Sequence, residues 1–228
     1  MSSKLLPLAM LAAAVQLAGC QATESAAPWS NQDGEPAIPP SLAGGASPVI
    51  VSELAISALA GSGLSGTTTL TRSSQGLWAD IEVEGLTDGY AYSVWWAVFD
   101  NPQGCDGACD AVDLRTVQQA QGSLVNGGGF VADGSSASHQ SHLARHDVEG
   151  KSVEAGDPSG IDNTYGAEVH LVIRSHGLAE TDPEDLALQT GTFGVFCNLP
   201  DPPVAGGCLN VGVSPFSSPD APGQAGSQ

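Results

Sequence analysis

Apolar and polar residues alternate along several short segments of this chain. Between residues 77 and 83, and again between 168 and 174, apolar side chains recur at every second position, which is the period of a β-strand with one buried face. Residues 92–99 are apolar almost throughout, which predicts a central strand buried on both faces. No long segment shows the spacing of apolar residues that is typical of an amphipathic helix. The pattern therefore favours an all-β protein.

Turn-forming residues separate the apolar segments along the chain. The segments predicted as strands are 67–71, 77–83, 92–99, 121–126, 129–133, 136–143, 168–175, 190–197 and 208–213. The regions 100–113 and 151–165 are predicted to be loops, and 182–188 one or two helical turns. This order predicts an antiparallel β-sandwich of roughly eight strands, with Greek-key-like connections and long glycine-rich loops.

The two ends of the chain differ from the middle. Residues 1–19 carry one basic residue, Lys4, before an apolar run that is shorter than the roughly 20 residues a membrane-spanning helix needs, which is typical of an export signal peptide. Residues 20–47 and 214–228 are rich in small residues and proline, without a hydrophobic period, and are predicted to be a disordered tether and tail. The folded domain is expected at 48–213.

The export signal ends in Leu-Ala-Gly-Cys at residues 17–20, which resembles the lipobox of bacterial lipoproteins. The resemblance implies lipidation of Cys20, with palmitate among the acyl chains, and a protein anchored to the cell envelope. Each buried methylene contributes about 0.8 kcal/mol, so several chains would hold the protein firmly. Gln21, where an aspartate would favour the inner membrane, favours the outer membrane, facing the periplasm or exterior. An ordinary secretory signal cleaved near Ala22 or Ala26 is the alternative.

The charge balance excludes some partners. Removal of the signal takes away Lys4 and no acidic residue, so the six basic residues become five against 25 acidic ones, a net charge of −20. Nucleic acids and anionic lipid head groups would be repelled by this chain. The membrane contact is therefore expected through the lipid anchor alone, and no nucleic-acid partner is expected.

Four cysteines remain besides the lipidation site, namely Cys105, Cys109, Cys197 and Cys208. In an oxidising exported compartment an even number predicts disulfides, and the local pairs Cys105–Cys109 and Cys197–Cys208 are expected. A four-thiolate zinc site is the alternative, although such sites usually contain a tighter C-x2-C spacing.

The histidines support a hypothesis of bound copper or zinc. They are His139, His142, His146, His170 and His176. On a strand, His139 and His142 are three residues apart and point to opposite faces. The hypothesis therefore combines His170 with one of His139, His142 or His146, and the alternative is that all are surface or hydrogen-bonded histidines.

Asp106, Asp110 and Asp113 crowd the cysteine-bearing loop. Oxygen ligands on a glycine-rich loop suit calcium, although the order of an EF-hand loop is missing. The sequence thus supports a calcium hypothesis beside the alternative of a solvated acidic loop held by a disulfide.

One face of the segment 168–174 is polar, with Glu168, His170 and Arg174. Same-face neighbours on a strand lie about 7 Å apart, within reach of long side chains. The face is predicted to be either a stripe that contacts a ligand or a set of charge pairs turned toward solvent.

Motifs of known catalytic sites are missing from the sequence. There is no G-x-S-x-G, H-E-x-x-H or P-loop motif, and the G-x-G-x-x-G match at 61–66 opens no helix. The sequence therefore favours a non-catalytic binding or structural module of the cell envelope, and leaves its protein or small-molecule partner undefined. A copper- or zinc-dependent redox protein and a calcium-stabilised adhesion module are the alternatives.

The segments 92–105 and 166–177 resemble stretches of uncharacterised exported bacterial β-proteins. A fainter resemblance to the chordin-type β-sandwich repeat covers 81–98. The resemblances imply a β fold, and neither implies an activity or a site residue.

Overall fold

The computed structural model describes residues 48–116, 118–156, 160–199 and 207–219. These residues form two antiparallel sheets with two short helices, α1 (Asp113–Thr116) and α2 (Pro183–Gly191), and two 3-10 turns at Pro102–Gly104 and Gln118–Ala120. The strands are β1 (Ile50–Ala55), β2 (Ser57–Ala58), β3 (Ser65–Ser73), β4 (Gly76–Glu84), β5 (Tyr90–Phe99), β6 (Gly122–Val131), β7 (Ser136–Ala144), β8 (Val153–Gly156), β9 (Glu168–Leu178) and β10 (Leu209–Phe216). None of the described helices is long and apolar enough to cross a membrane. The predicted lipidation site Cys20, the signal 1–19 and the tether 20–47 lie outside the described residues.

The strands divide into a four-stranded sheet with the order β1-β3-β4-β7 and a six-stranded sheet with the order β2-β10-β9-β5-β6-β8. The predicted all-β, sandwich-like fold is confirmed, with ten strands among the described residues instead of roughly eight. Side-chain hydrogen bonds join the two sheets. Trp96 Nε1 on β5 donates to Ser141 Oγ on β7 at 2.7 Å, and the Thr68 and Ser214 hydroxyls, on β3 and β10, lie 3.0 Å apart.

The strand β5 is buried on both faces, as its apolar run predicts. Val94, Trp96 and Val98 lie in the main core between the sheets. Trp95, Ala97 and Phe99 point the other way and lie in a second apolar cluster on the outer side of the six-stranded sheet. Burying a large apolar side chain contributes about 1.5–3 kcal/mol, so this strand stabilises both layers.

One strand, β6, replaces the two strands predicted at 121–126 and 129–133. The prediction was wrong because the glycines between the two segments serve close packing and not a turn. A Cβ at Gly127 would lie 2.7 Å from Ser141 Oγ, and one at Gly129 would lie 2.6 Å from a carbonyl oxygen of β5. Larger residues would therefore push the neighbouring elements away.

Three further segments differ from the prediction. Residues 190–197 are not a strand, because α2, capped by Asp182 and started by Pro183, continues to Gly191 and an irregular segment follows. The predicted loop 151–165 contains the edge strand β8, and the predicted tail contributes residues 214–216 to β10. The edge strand β1 lies in a segment for which the sequence predicted no strand.

Candidate functional site

A pocket of about 300 Å³ lies on the outer face of the six-stranded sheet. It is lined by residues from five strands, the α1 region and the segment after α2. The lining residues are Ala97, Phe99, Asp110, Ala111, Leu114, Leu124, Glu154, Ala155, His170, Val172, Phe193 and Asn210. Its volume is at the lower end of the range for small-molecule sites.

The floor of the pocket is apolar. Ala97, Phe99, Leu124 and Val172 stand on neighbouring strands and belong to the second apolar cluster. The strand pairing aligns them, because Ala97 of β5 lies opposite Leu124 of β6 and His170 of β9, and Val172 of β9 lies opposite Trp95. The floor is therefore part of the fold's own packing and is formed before any ligand arrives.

Phe193 forms one wall, and four contacts hold it in place. Arg174 lies 3.9 Å above its ring and donates through Nε to the Phe193 carbonyl at 2.6 Å. The Trp95 ring meets it edge-on at 5.1 Å, and Glu154 Oε1 accepts from its backbone nitrogen at 3.3 Å. A cation over an aromatic face contributes about 0.5–2 kcal/mol. The irregular segment after α2 is thereby fixed against the sheet.

The loop before α1 forms the opposite side. The disulfide Cys105–Cys109 closes it, and Asp110 and Asp113 fold it by accepting hydrogen bonds from each other's backbone nitrogens. Asp110 Oδ1 also accepts from Val112 N at 2.6 Å. Carboxylates in these positions satisfy the unpaired amides at the start of α1.

Polar groups stand around the apolar floor. Asp110, Glu154, His170 and Asn210 line the pocket, and Glu168 Oε1 lies 2.7 Å from His170 Nε2. The lining contains two carboxylates and neither lysine nor arginine. The nearby guanidinium of Arg174 is occupied by Phe193 and by Asn210, whose Oδ1 accepts from it. The pocket accordingly suits an apolar molecule with a positive or hydrogen-bond-donating group, and it disfavours an anion.

The predicted polar face of β9 is largely buried and is not a solvent face. Glu168 and His170 pair with each other, and His170 also lines the pocket. Arg174 supports the wall and makes no ion pair among those found in the described residues.

The structure does not bring His170 together with the histidines of β7. His139 faces the inside of the sandwich, where its Nε2 lies 3.1 Å from the Gly127 carbonyl. His142 is on the opposite face of β7 and stacks on Trp78 at 4.5 Å. His170 is on the outer face of the other sheet, against Phe99. The three side chains lie on three different surfaces, so one ion cannot contact His170 and either of the others. These residues therefore do not form the copper or zinc site that the sequence suggested.

His146 also lies apart from that set. Its Nδ1 lies 2.6 Å from Asp162 Oδ1, and both side chains are exposed. It follows β7 and takes a left-handed backbone conformation, with a φ of +58°.

The aspartates of the calcium hypothesis do not converge either. Asp110 and Asp113 direct carboxylate oxygens at backbone amides, while Asp106 is exposed. Among the described residues, the three do not form a group whose ligand atoms lie within 4.8 Å of one another. The three aspartates therefore offer no common position for calcium in this structure, and the Cys105–Cys109 disulfide closes the loop.

Both predicted disulfides are confirmed: Cys105–Cys109 and Cys197–Cys208. The second pair lies beside the buried His176, which the sequence did not associate with any cysteine. Burial, together with the charge of Arg174, lowers the pKa of His176 to about 4, while a hydrogen bond with the Val195 carbonyl acts in the opposite direction.

The fold and the pocket define an all-β protein with two antiparallel sheets and one small, mostly apolar site on an outer face. Comparison of the chain with protein-family models, with curated proteins and with solved structures finds no match.

Sequence reasoning missed most of the pocket. Glu154 lies in a predicted loop and Phe193 in a wrongly predicted strand, and neither has a local signal of ligand contact. The one available signal was the outward face of β5, where Ala97 and Phe99 are apolar on the side that a two-layer sandwich would expose.

Proposed function

We propose that this protein is a non-catalytic binding module of the cell envelope, held to a membrane through Cys20, which takes up a small, mostly apolar cation in the pocket beneath Phe193. The observation that carries the proposal is the pocket itself, with an apolar floor, two carboxylates in its lining and a wall fixed in advance. A preformed site avoids part of the ordering cost of binding.

The charge of the ligand follows from the lining and from the whole chain. Asp110 and Glu154 attract a cation at close range, and the strongly negative net charge favours its approach from a distance. The apolar floor favours a hydrocarbon or aromatic body. The volume of about 300 Å³ limits the ligand to a small molecule.

A matched pair of probes tests the charge preference. The ions 2-phenylethylammonium and 3-phenylpropionate share a phenyl ring and a short chain but carry opposite charges. In amide NMR titrations of the purified chain we expect the ammonium ion to shift the resonances of β5, β8 and β9 around the pocket. The carboxylate should bind more weakly, because it meets two like charges.

Two variants place the binding in the pocket. Glu154→Gln should weaken the binding of the ammonium ion by about two- to fivefold, which is the contribution expected of an ion pair near the protein surface. Ala155→Phe should fill the pocket and abolish binding of both probes. Glu53→Gln, on the exposed side of β1, removes the same charge from the other sheet and should change nothing. Equal affinity for the two probes, or unchanged binding in Ala155→Phe, would overturn the proposed site.

The envelope location has a separate test. Cells fed labelled palmitate should yield a labelled protein, and Cys20→Ala should release it from membranes. An unlabelled product, or a Cys20→Ala protein that stays on the membrane, would contradict the anchor and leave the pocket assignment intact.

A further inference from the structure

The second apolar cluster borders another group of reactive side chains, at His176. This histidine is fully buried, with an exposed fraction of 0%. Its Nδ1 lies 3.2 Å from Cys208 Sγ, and the ligand atoms of His176, Cys197 and Cys208 all lie within 4.8 Å of one another. Two sulfurs and one imidazole nitrogen therefore converge on one point, although the three residues are up to 32 positions apart in the sequence.

A hydrogen-bond chain fixes the far side of the imidazole. His176 Nε2 lies 2.7 Å from Ser93 Oγ, and Trp95 Nε1 donates to the same oxygen at 2.8 Å. Histidines that bind metals with one nitrogen commonly donate from the other nitrogen to a fixed partner. His176 can take the tautomer in which Ser93 Oγ accepts from Nε2. In that tautomer Nδ1, the nitrogen that faces the sulfurs, carries no hydrogen, and the hydrogen bond to the Val195 carbonyl is given up.

We propose that reduction of the Cys197–Cys208 disulfide opens a binding site in which His176, Cys197 and Cys208 hold one thiophilic metal ion, Zn²⁺ or Cu⁺. A dithiol supplies two electrons and two protons and becomes a disulfide itself. The protein's disulfide takes them up and becomes two thiols. The metal ion then displaces the two thiol protons, which go to solvent. In the oxidised protein the sulfurs are bonded to each other and the site is closed.

The places of the two cysteines in the fold indicate which one moves when the disulfide is reduced. Metal–sulfur bonds are about 2.3 Å and metal–nitrogen bonds about 2.0–2.1 Å, so the two sulfurs must move apart once reduced. Cys208 is 6% exposed and starts the segment that leads into β10, whereas Cys197 is partly exposed in irregular backbone. The movement therefore falls on Cys197, while Cys208 and His176 keep their places.

The surroundings also suit a dithiolate site. The Val195 carbonyl oxygen lies 4.0 Å from each sulfur, close enough to supply a fourth ligand or to hold a water. Thiolate and imidazole ligands select Zn²⁺ and Cu⁺ over harder ions. Two thiolates compensate the ion's charge, which matters because the guanidinium of Arg174 is nearby and would repel an uncompensated cation.

The test uses the full chain with Cys20→Ser, Cys105→Ser and Cys109→Ser, so that one cysteine pair remains. Oxidised and anaerobically reduced samples are titrated with Zn²⁺ against a chromophoric chelator, and with Cu⁺ against a copper(I) chelator. We expect one equivalent in the reduced sample and none in the oxidised one. With Co²⁺ as a probe, the reduced sample should develop a thiolate-to-metal absorption band.

Variants of the three ligands and of the supporting serine assign the site. Cys197→Ser should lower the cobalt band by at least half, because only the Cys208 thiolate remains, and His176→Gln should weaken the binding of Zn²⁺ by more than tenfold. Ser93→Ala should weaken it by about 10- to 100-fold, as for other residues that orient a ligating histidine. His146→Gln, at an exposed histidine, should leave binding unchanged.

Three outcomes would overturn the proposal. They are equal metal binding by the reduced and oxidised samples, binding in His176→Gln within twofold of the parent, and loss of the near-ultraviolet circular dichroism on reduction that the ion does not restore. None of these outcomes bears on the pocket beneath Phe193, whose test uses the oxidised protein.

Discussion

Arg72 offers a direct test of what holds the sandwich together. It lies on β3 between the two sheets and is only 1% exposed. Its Nη1 donates to the Thr164 carbonyl at 3.0 Å, and Nη2 has no hydrogen-bond partner among the described residues. Unpaired charges in protein interiors are costly. The side chain should therefore stabilise the fold through its volume and not through its charge.

The opposing contributions at Arg72 nearly cancel. Burial lowers the pKa of Arg72 to about 10, from an ordinary value of about 12.5, and at 1.36 kcal/mol for each tenfold change in proton affinity this costs about 3 kcal/mol. Loss of the donor to Thr164 would leave a buried carbonyl unsatisfied, at about 1–3 kcal/mol. Arg72→Met removes the cost of the buried charge, leaves the Thr164 carbonyl without this donor and keeps most of the volume. We expect its free energy of unfolding to lie within about 1.5 kcal/mol of the wild type.

Arg72→Ala makes the same polar changes and adds a cavity, so it should be about 2–4 kcal/mol less stable than Arg72→Met. Urea unfolding at pH 7, followed by tryptophan fluorescence, measures both variants. Arg145→Met is the control, since Arg145 is exposed, and should change stability by less than about 0.5 kcal/mol. If Arg72→Met were destabilised by 3 kcal/mol or more, or as strongly as Arg72→Ala, the reasoning from buried charge would be refuted.

Three further predictions concern pH, backbone and disulfides. Burial lowers the pKa of His142 to about 4, so the unfolded chain binds the proton more readily and the free energy of unfolding should fall as the pH drops from about 6.5 to about 4. Unfolding curves of His142→Gln should show a smaller loss of stability over this range, and an equal loss would contradict the role of His142. Gly177→Ala should be at least about 2 kcal/mol less stable than Gly134→Ala. Both glycines have a positive φ, but only a Cβ at Gly177 would clash with the backbone, at 2.3 Å from a carbonyl carbon. Similar melting temperatures of the two variants would argue against this clash. Replacing Cys105–Cys109 by serines should cost about 2 kcal/mol and replacing Cys197–Cys208 about 3 kcal/mol, measured by denaturant unfolding, and the reverse order would show that loop closure does not dominate.

The strands that face one core were predictable because their side chains repeat. The alternation from Leu77 to Val83 and the apolar run from Tyr92 to Phe99 gave β4 and β5 with nearly correct bounds. Periodicity works at these positions because burial of one face, or of both, is enforced along the whole strand.

The errors arose where glycine or a helix cap decided the local structure. Glycines at 127–129 resembled a turn, although Gly127 and Gly129 allow Trp96, Ser141 and α2 to approach β6. The apolar residues at 193, 195 and 196 resembled a strand, yet Asp182 and Pro183 start a helix just before them. In both cases the deciding contact is between distant segments and leaves no local period.

The candidate sites were less predictable than the fold for the same reason. His170 was singled out from the sequence, but its neighbours in the pocket come from five strands and two loops. The contact of His176 with Cys208 depends on the antiparallel pairing of β9 with β10, whose first aligned residues are Ser175 and Leu209. Pairing of strands far apart in sequence is what a single sequence does not specify.

The outer face of β5 connects the two sites physically. Ser93, Trp95, Ala97 and Phe99 follow one another on that face, from the His176 cluster to the pocket floor. Trp95 stands between them, because its indole nitrogen donates to Ser93 and its ring meets Phe193. Because Trp95 contacts both sites, we expect its fluorescence to change when either site is altered. Trp95→Phe keeps the edge contact with Phe193 but removes the donor to Ser93, and it should therefore weaken metal binding in the reduced protein while sparing the pocket.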